Sequence, residues 1–297
     1  MQSLIQRATQ VLALQSQAPF SVYSAAHEQL LSNVPLLKPM MIVVAAGCKQ
    51  LDGPPEQSLS AGQFVLLPGN GAVNMRNIPL QQQYQALLIE FEGDDFDGLP
   101  DALPGIPDGQ ASSVSQYQAG TISGGGVVGD AGDGVANVVA GDVDALLHQC
   151  LLQFIDWSAQ APEALWSQRR RELLQLLHYQ GWRQLARLRP ASRLTERLQQ
   201  LIRQAPAQEH TASSLAAQLA MSEATLHRRL RAEKTRLQDI KDQVRLGLAL
   251  HWLQSSDDAI QRIGERCGYF SASRFSEKFR QQFGMSPREL RRTRLME

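Results

Sequence analysis

The apolar residues of this chain keep two different rhythms, and the change of rhythm divides it. Over residues 3–16, Leu4, Ile5, Ala8, Val11 and Leu12 recur at helical spacing and predict a leading amphipathic helix. After Pro19 that period is lost. Short runs of branched and aromatic residues take over at 40–46 (MMIVVAA), 64–67 (FVLL) and 84–91 (YQALLIEF), bounded by Gly and Pro clusters at Gly47, 52–55, 68–71 and Pro79. Such punctuation predicts an antiparallel sheet or small barrel, with Glu90, Glu92, Asp94 and Asp95 on an exposed rim. From Asp142 the helical period returns. Leu146, Leu147, Cys150, Leu151, Phe154 and Ile155 make a wide stripe on one helix, and Pro162 opens another carrying Leu165, Trp166, Leu173, Leu174, Leu176 and Leu177. The stripe packs against the barrel or, alternatively, joins two copies of the chain. RLRPA at 187–191 reads as a linker, which sets domains of 1–185 and 193–297 around a connection at 186–192.

Beyond the linker every pattern is helical. Leu198, Leu201 and Ile202 share one side of a helix that Pro206 ends. Leu215 and Leu219 mark a short helix, Met221 and Ser222 a turn, and Leu226 and Leu230 the inward positions of SEATLHRRLR at 222–231. Ser222 is placed to cap that helix, leaving Thr225, His227, Arg228 and Arg229 outside. A longer helix over 237–253 has an apolar side of Arg245, Leu246, Ala249, Trp252 and Leu253, and SSDD at 255–258 reads as a capping cluster. The theme then recurs. Ile260 and Ile263 open a short helix, Gly268 breaks it, Ser271 caps the next, and Phe275, Phe279 and Phe283 face inward along SASRFSEKFR and beyond. Leu226 and Leu230 precede Phe275 and Phe279 by 49 residues each, but Leu215 to Leu226 is 11 and Ile263 to Phe275 is 12. The second turn is therefore one residue longer. Gly284 closes the helix, and Ser286-Pro287-Arg288-Glu289 is a capping box with Pro at the first helical position. A short helix, a turn and a second helix with a polar outer face is the plan of a helix-turn-helix reader of DNA. It occurs twice.

Charge supports the division. The 297 residues carry no net charge, but 1–160 hold 4 Lys and Arg against 15 Asp and Glu, a net −11, while 191–297 hold 19 against 12, a net +7. A polyanion partner is expected for the back half alone. The longest apolar run, 39–47, is far too short to span a bilayer, and MQSLIQRATQ lacks a signal peptide's features, so a cytoplasmic protein is expected. Cys48, Cys150 and Cys267 form neither a disulfide framework nor a metal site. The barrel region offers His27, ahead of its first clear strand, and no His-x-His pair, so neither a catalytic metal nor a cofactor is expected. GGGVVG at 124–129 matches GxGxxG, yet the Gly-rich stretch 119–141 would make a poor helix, and a flexible loop is expected. No nucleophile or acid-base set accompanies it, which argues against an enzyme. Arg169–Arg171 reads as a solvated face.

The stretch from Ile263, IGERCGYFSASRFSEKFRQQFGMSPRELRR, resembles the second half of the DNA-binding domain of AraC/XylS-type transcription regulators. The likeness runs through an apolar helix, Gly-aromatic turn, small-residue cap, paired aromatics, Phe-Gly, then Ser-Pro and a basic end. It extends over about 100 of the 297 residues. KPMMIVVAAGCKQL, SAGQFVLLPGN and RELLQLL are more loosely similar to the sensor domains of such regulators. The resemblance implies an α+β chain: an N-terminal cupin-like β-barrel with flanking helices, then an all-α domain of two helix-turn-helix units joined by a linker helix. It implies base-reading positions at Ala224, His227 and Arg228, and near Ala272, Ser273, Arg274, Ser276 and Glu277. Lys234 stands where glycine is usual before the linker helix, and Glu277 where a basic residue is common; a glutamate there could accept from a cytosine amino group, but a salt bridge to Arg274 or Arg280 is the expectation.

Combining helix faces and resemblance, the candidate DNA-contacting set is Ser222, Ala224, Thr225, His227, Arg228, Arg229, Ser271, Ser273, Arg274, Ser276, Lys278 and Arg280. Two recognition helices would enter successive major-groove segments of double-stranded DNA about 34 Å apart. Arg228 and Arg274 would offer forked donors to guanine edges while Ser222, Ser271, Lys278 and Arg280 meet phosphates. The front half would sense a small-molecule effector or a protein partner. RNA polymerase and a second copy of the chain complete the expected partners, with no membrane. The rival is an enzyme with a nucleotide- or ligand-binding front half.

Overall fold

In the computed structural model the described residues are 1–15, 17–52, 57–69, 71–81, 83–99, 121–122, 136–182, 185, 188 and 193–294. Helix α1 (Gln2–Leu14) leads into β1 (Phe20–Ala25), β2 (Gln29–Pro35), β3 (Met40–Ala46), β4 (Cys48–Leu51), β5 (Gln57–Ser60), β6 (Gln63–Leu67), β7 (Ala72–Ile78) and β8 (Tyr84–Glu90). Two-residue strands β9 (Thr121–Ile122) and β10 (Ala136–Asn137) pair with each other, and β11 (Val139–Asp142) follows. One antiparallel sheet runs β1-β8-β3-β6-β11, and a second runs β2-β7-β4-β5. His27 thus sits between β1 and β2 rather than ahead of the first strand. The GGGVVG motif lies outside the described residues.

The first sheet is buried on both faces. Met41 and Val43 of β3 pack with α1, α2 (Ala145–Ser158) and α3 (Trp166–Tyr179), while Ile42 and Val44 face the second sheet. A strand covered on both sides reads as a continuous apolar run, which is why MMIVVAA stands out. The second sheet buries one face only. QSLS of β5 hides Leu59 alone, and AVNMRNI of β7 alternates Val73, Met75 and Asn77 inward. The expected acidic rim is different from its prediction: Asp95 is buried, accepts from the Glu92 backbone N–H at 2.8 Å and pairs with Arg170. The run Arg169–Arg171 is accordingly no solvated face, since Arg170 is inserted toward Asp95 and Arg169 pairs with Glu172.

The back half is α4 (Leu194–Gln204), α5 (Ala212–Gln218), α6 (Glu223–Ala232), α7 (Leu237–Ser255), α8 (Ile260–Arg266), α9 (Ala272–Phe283) and α10 (Pro287–Thr293). Of 186–192, only Leu188 is described, and it is buried. The buried side chains of α4–α10 and those between the two sheets form one continuous core. Helix α7 lies on β1 and β2, and α9 on β2. Gly247 makes the first approach possible: a Cβ there would stand 3.1 Å from Pro35 Cγ and 3.2 Å from Leu37 Cδ1. SSDD is not the cap of α8, whose N-cap Ala259 makes no side-chain bond. Ser255 and Ser256 instead donate back to His251 and Trp252 carbonyls, Asp257 pairs with Arg294 and Asp258 with Arg266. No helix among the described residues is long and apolar enough to cross a membrane.

Candidate functional site

The two helix-turn-helix units are built alike. Each second helix is capped by serine: Ser222 Oγ accepts the Thr225 N–H at 3.2 Å, and Ser271 Oγ the Arg274 N–H at 3.4 Å. Each turn carries a left-handed residue, Ala220 at φ 53° and Gly268 at φ 81°. Each returns a backbone N–H five residues, Met221 to Ala216 O and Tyr269 to Gly264 O, both at 2.9 Å. The extra residue of the second turn is Phe270, 87% exposed beside the start of α9. Gly264 matches the bulkier anchor of its unit, for a Cβ there would lie 3.1 Å from the Phe275 ring. Alanine at φ 53° is strained by about 1 kcal/mol relative to glycine. Ala220→Gly relieves that strain at the cost of a freer unfolded chain, so it is expected to raise the unfolding free energy by at most about 1 kcal/mol, seen as a higher urea midpoint at unchanged slope.

Leu226 and Leu230 are buried in α6, and Phe275, Phe279 and Phe283 in α9. Ala224, His227, Arg228 and Arg229 consequently face solvent on one unit, and Ser271, Ala272, Ser273, Arg274, Glu277 and Arg280 on the other. Thr225 and Ser276 are half-buried, and Thr225 Oγ1 is 3.0 Å from Ser222 Oγ. Lys278 is engaged: it donates to Asp242 of α7 at 3.2 Å. Glu277 makes no salt bridge to Arg274 or Arg280, against expectation. Lys234 takes φ 52°, so the turn before α7 keeps a left-handed residue without its glycine. Glu233 ties the first unit together by accepting from the Leu194 and Thr195 N–H groups, both at 3.1 Å, at the start of α4.

A cavity of about 70 Å³ lies between the sheets and α7. Its walls are largely apolar, among them Val34, Leu36, Met40, Ile42, Leu88 and Leu248. Its polar edge joins the two halves of the chain. Tyr23 of β1 hydrogen-bonds His251 of α7 at 2.9 Å, and Arg203 of α4 pairs with Glu90 of β8. Burial pushes the Glu90 carboxyl up, but Arg203 and Lys38 outweigh it and hold it below the usual range. Burial lowers His251, against the pull of Glu90. The cavity also meets Lys49, 3% exposed, whose Nζ donates to Asn77 Oδ1 at 2.8 Å.

Residues 215–293 match the family model described as a helix-turn-helix domain. The transcriptional activator RhaS of Klebsiella pneumoniae strain 342 is 41% identical over 90 residues, 30% of this chain and 32% of that protein. RhaS of Escherichia fergusonii is 41% identical over 83 residues, 27% of this chain and 30% of its own length. The chain thus spans about a third of the length of the curated relatives it matches. The carboxyl-terminal region is an AraC-type helix-turn-helix domain. The fold of the whole chain is that of ToxT from Vibrio cholerae. Its structure from strain SCE256 with an unsaturated fatty acid bound superposes with a TM-score of 0.58 at 12% identity, covering 95% of this chain and 98% of ToxT. ToxT from strain O395 gives 0.58 at 11% identity over 95% and 100%.

Within the AraC-type domain, the exposed candidates on α6 and α9 are brought to equivalent places on two similar units. The cavity residues were not legible beforehand. Tyr23, Lys49, Asn77 and His251 lie far apart in sequence, and their signal was one of parity: Lys49 shares the inward side of β4 with Leu51. A charged residue on that side becomes conspicuous only when the register is known.

Proposed function

We propose that this chain is a sequence-specific DNA-binding transcription regulator whose barrel portion, residues 1–185, controls the double helix-turn-helix of 193–297. The observation that carries the reading is the duplication: two capped helices with exposed polar faces, held on buried anchors at matched positions and bridged by α7. In this reading Arg228 and Arg274 present forked donors to guanine edges, with Ala224, Thr225, His227, Ser273 and Ser276 lining the same groove faces. Ser222, Ser271, Arg229 and Arg280 meet phosphates. Lys278 must leave Asp242, or share it, to join them. The protein would act in the cytoplasm, as a dimer, with RNA polymerase as a further partner. The largely apolar cavity between barrel and α7 supports a small-molecule effector over control by a protein partner alone. ToxT, of the same fold, has been solved with an unsaturated fatty acid bound, so the architecture accommodates a small molecule.

The test is selection of binding sites from a random DNA pool, followed by titration at several salt concentrations. Affinity for the selected sequence should fall steeply with salt. Arg228→Ala should weaken that sequence by about 1–3 kcal/mol and relax preference at one base pair. Equal loss on every sequence would make Arg228 a phosphate contact. No selection at all would sink the reading.

A further inference from the structure

Three fully buried polar side chains stand side by side across the second sheet. Gln29 of β2 pairs in register with Asn77 of β7, and Asn77 with Lys49 of β4. They are 1%, 2% and 3% exposed. Their hydrogen bonds all run one way: Lys49 Nζ donates to Asn77 Oδ1, Asn77 Nδ2 to Gln29 Oε1, and Gln29 Nε2 to Thr293 Oγ1, each at 2.8 Å. Thr293 Oγ1 donates in turn to Leu290 O at 2.6 Å, within α10. The Thr293 carbonyl accepts the Ala26 N–H at 2.8 Å and the His27 N–H at 3.3 Å. One end of this row therefore reaches the cavity, and the other grips the last helix of the second helix-turn-helix unit.

A buried row of polar groups costs desolvation that apolar residues would avoid, so its place between cavity and DNA-binding domain needs a reason. Its cavity end is chemically incomplete. Among the described residues no carboxylate lies within ion-pair reach of Lys49, whose other close contacts are Met75 Sδ at 3.3 Å and the Tyr84 ring. Arg203 is already matched by Glu90. Gln254, 4% exposed at the end of α7, also lines the cavity and its Oε1 has no partner.

We propose that Lys49 is the anchor for an effector bearing one carboxylate on an apolar body, and that the row Lys49–Asn77–Gln29–Thr293 couples its arrival to α10. The proposal rests on the regulator reading above and names its ligand class and coupling route. The apolar walls disfavour a polyol, and the uncompensated amine calls for an anion. Burial lowers the Lys49 amine from 10.5 to about 7. Tyr23 and Tyr84 are raised by burial, His251 is lowered, and Glu90 is held ionised by Arg203 and Lys38. Between pH 7 and 9 the lining group expected to change charge is therefore Lys49, and pairing it with a carboxylate requires it to take up a proton. Affinity should fall by roughly tenfold per pH unit above about 7.

Isothermal titration of the full chain with sodium octanoate, sodium benzoate and 1-octanol, in buffers of different ionisation enthalpy, tests the anchor. One of the acids should bind with proton uptake and the alcohol at least tenfold more weakly; octanoate and benzoate distinguish an aliphatic from an aromatic body. Lys49→Met should lose the acid and its pH dependence while melting no lower than the wild type. Equal binding of the alcohol, or acid binding unchanged in Lys49→Met, overturns the anchor, as does no binding of either acid. Thr293→Val tests the route. It should bind acid as the wild type does, yet lose the change in affinity for the selected DNA, expected at fivefold or more in the wild type. An unaltered change in Thr293→Val, or none in the wild type, overturns the coupling. The titration uses free protein, so its outcome is separate from failure to select DNA, which would sink the regulator reading instead.

Discussion

Phe279→Ala is expected to destabilise the chain by about 3–5 kcal/mol and to abolish DNA binding at 37 °C. Phe279 is wholly buried and stands between two rings, 5.8 Å from Phe275 and 4.6 Å from Phe283, both edge-on. Truncation removes the transfer energy of the ring and leaves a cavity that a helix anchored at both neighbours closes poorly, which sets the range. Loss of two edge-to-face contacts adds to it. Because the core of α4–α10 is continuous with the interior between the sheets, the loss should appear in a single urea transition of the whole chain. Phe279→Leu, which keeps most of the volume, should cost much less. Phe270→Ala is the control, since that ring is 87% exposed and should leave the transition within about 0.5 kcal/mol. A fall in DNA affinity for Phe270→Ala without any loss of stability would place that ring in the interface. A Phe279→Ala chain as stable as Phe270→Ala would refute the account of α9 as hung on its aromatic row.

The anchors were legible because helical spacing records which face is buried. Phe275, Phe279 and Phe283 recur at intervals of four, and Leu226 and Leu230 repeat the first two at an offset of 49. The caps were legible for a similar reason: Ser222, Ser271 and Ser286 stand at the only step where a hydroxyl reaches a free backbone N–H. Strands covered on both faces, such as β3, could be read as apolar runs. The second sheet was largely hidden, because β4, β5 and β7 bury at most every other residue, β2 shifts register between Leu31 and Val34, and three of the buried residues are polar. Charge alone misled at Asp95, which a sequence places on a rim and the fold seats against Arg170. The cavity is the extreme case, its polar groups coming from β1, β4, β7, β8, α4 and α7. Only tertiary packing brings Tyr23 to His251 across 228 residues of chain.

The same packing makes Lys49→Met an expected stabilising change at neutral pH, and one whose size must vanish in alkali. The unfolded chain holds the Lys49 proton up to 10.5, while in the fold burial lowers the amine to about 7. Below pH 7 the amine is charged in both states, and the fold carries the full cost of a desolvated cation. Between about pH 7 and 10.5 the unfolded state binds one proton more than the native state, so wild-type stability gains about 1.4 kcal/mol per pH unit from this group. Above 10.5 neither state is charged and the penalty is gone. The neutral-pH penalty is thus on the order of 4 kcal/mol. Methionine escapes it but strands Asn77 Oδ1, a buried acceptor worth about 1–3 kcal/mol. The variant should therefore be more stable by roughly 1–3 kcal/mol at pH 7, the margin shrinking with pH and reversing between about pH 8 and 9.5. Urea unfolding of both proteins at intervals of one pH unit measures it, and taking the difference cancels every other titrating group. A margin that stays flat from pH 7 to 10 would mean that Lys49 keeps its charge in the fold. A wild type more stable at pH 7 would mean that the row Lys49–Asn77–Gln29 stabilises the barrel in its own right, with no need of an anion to complete it.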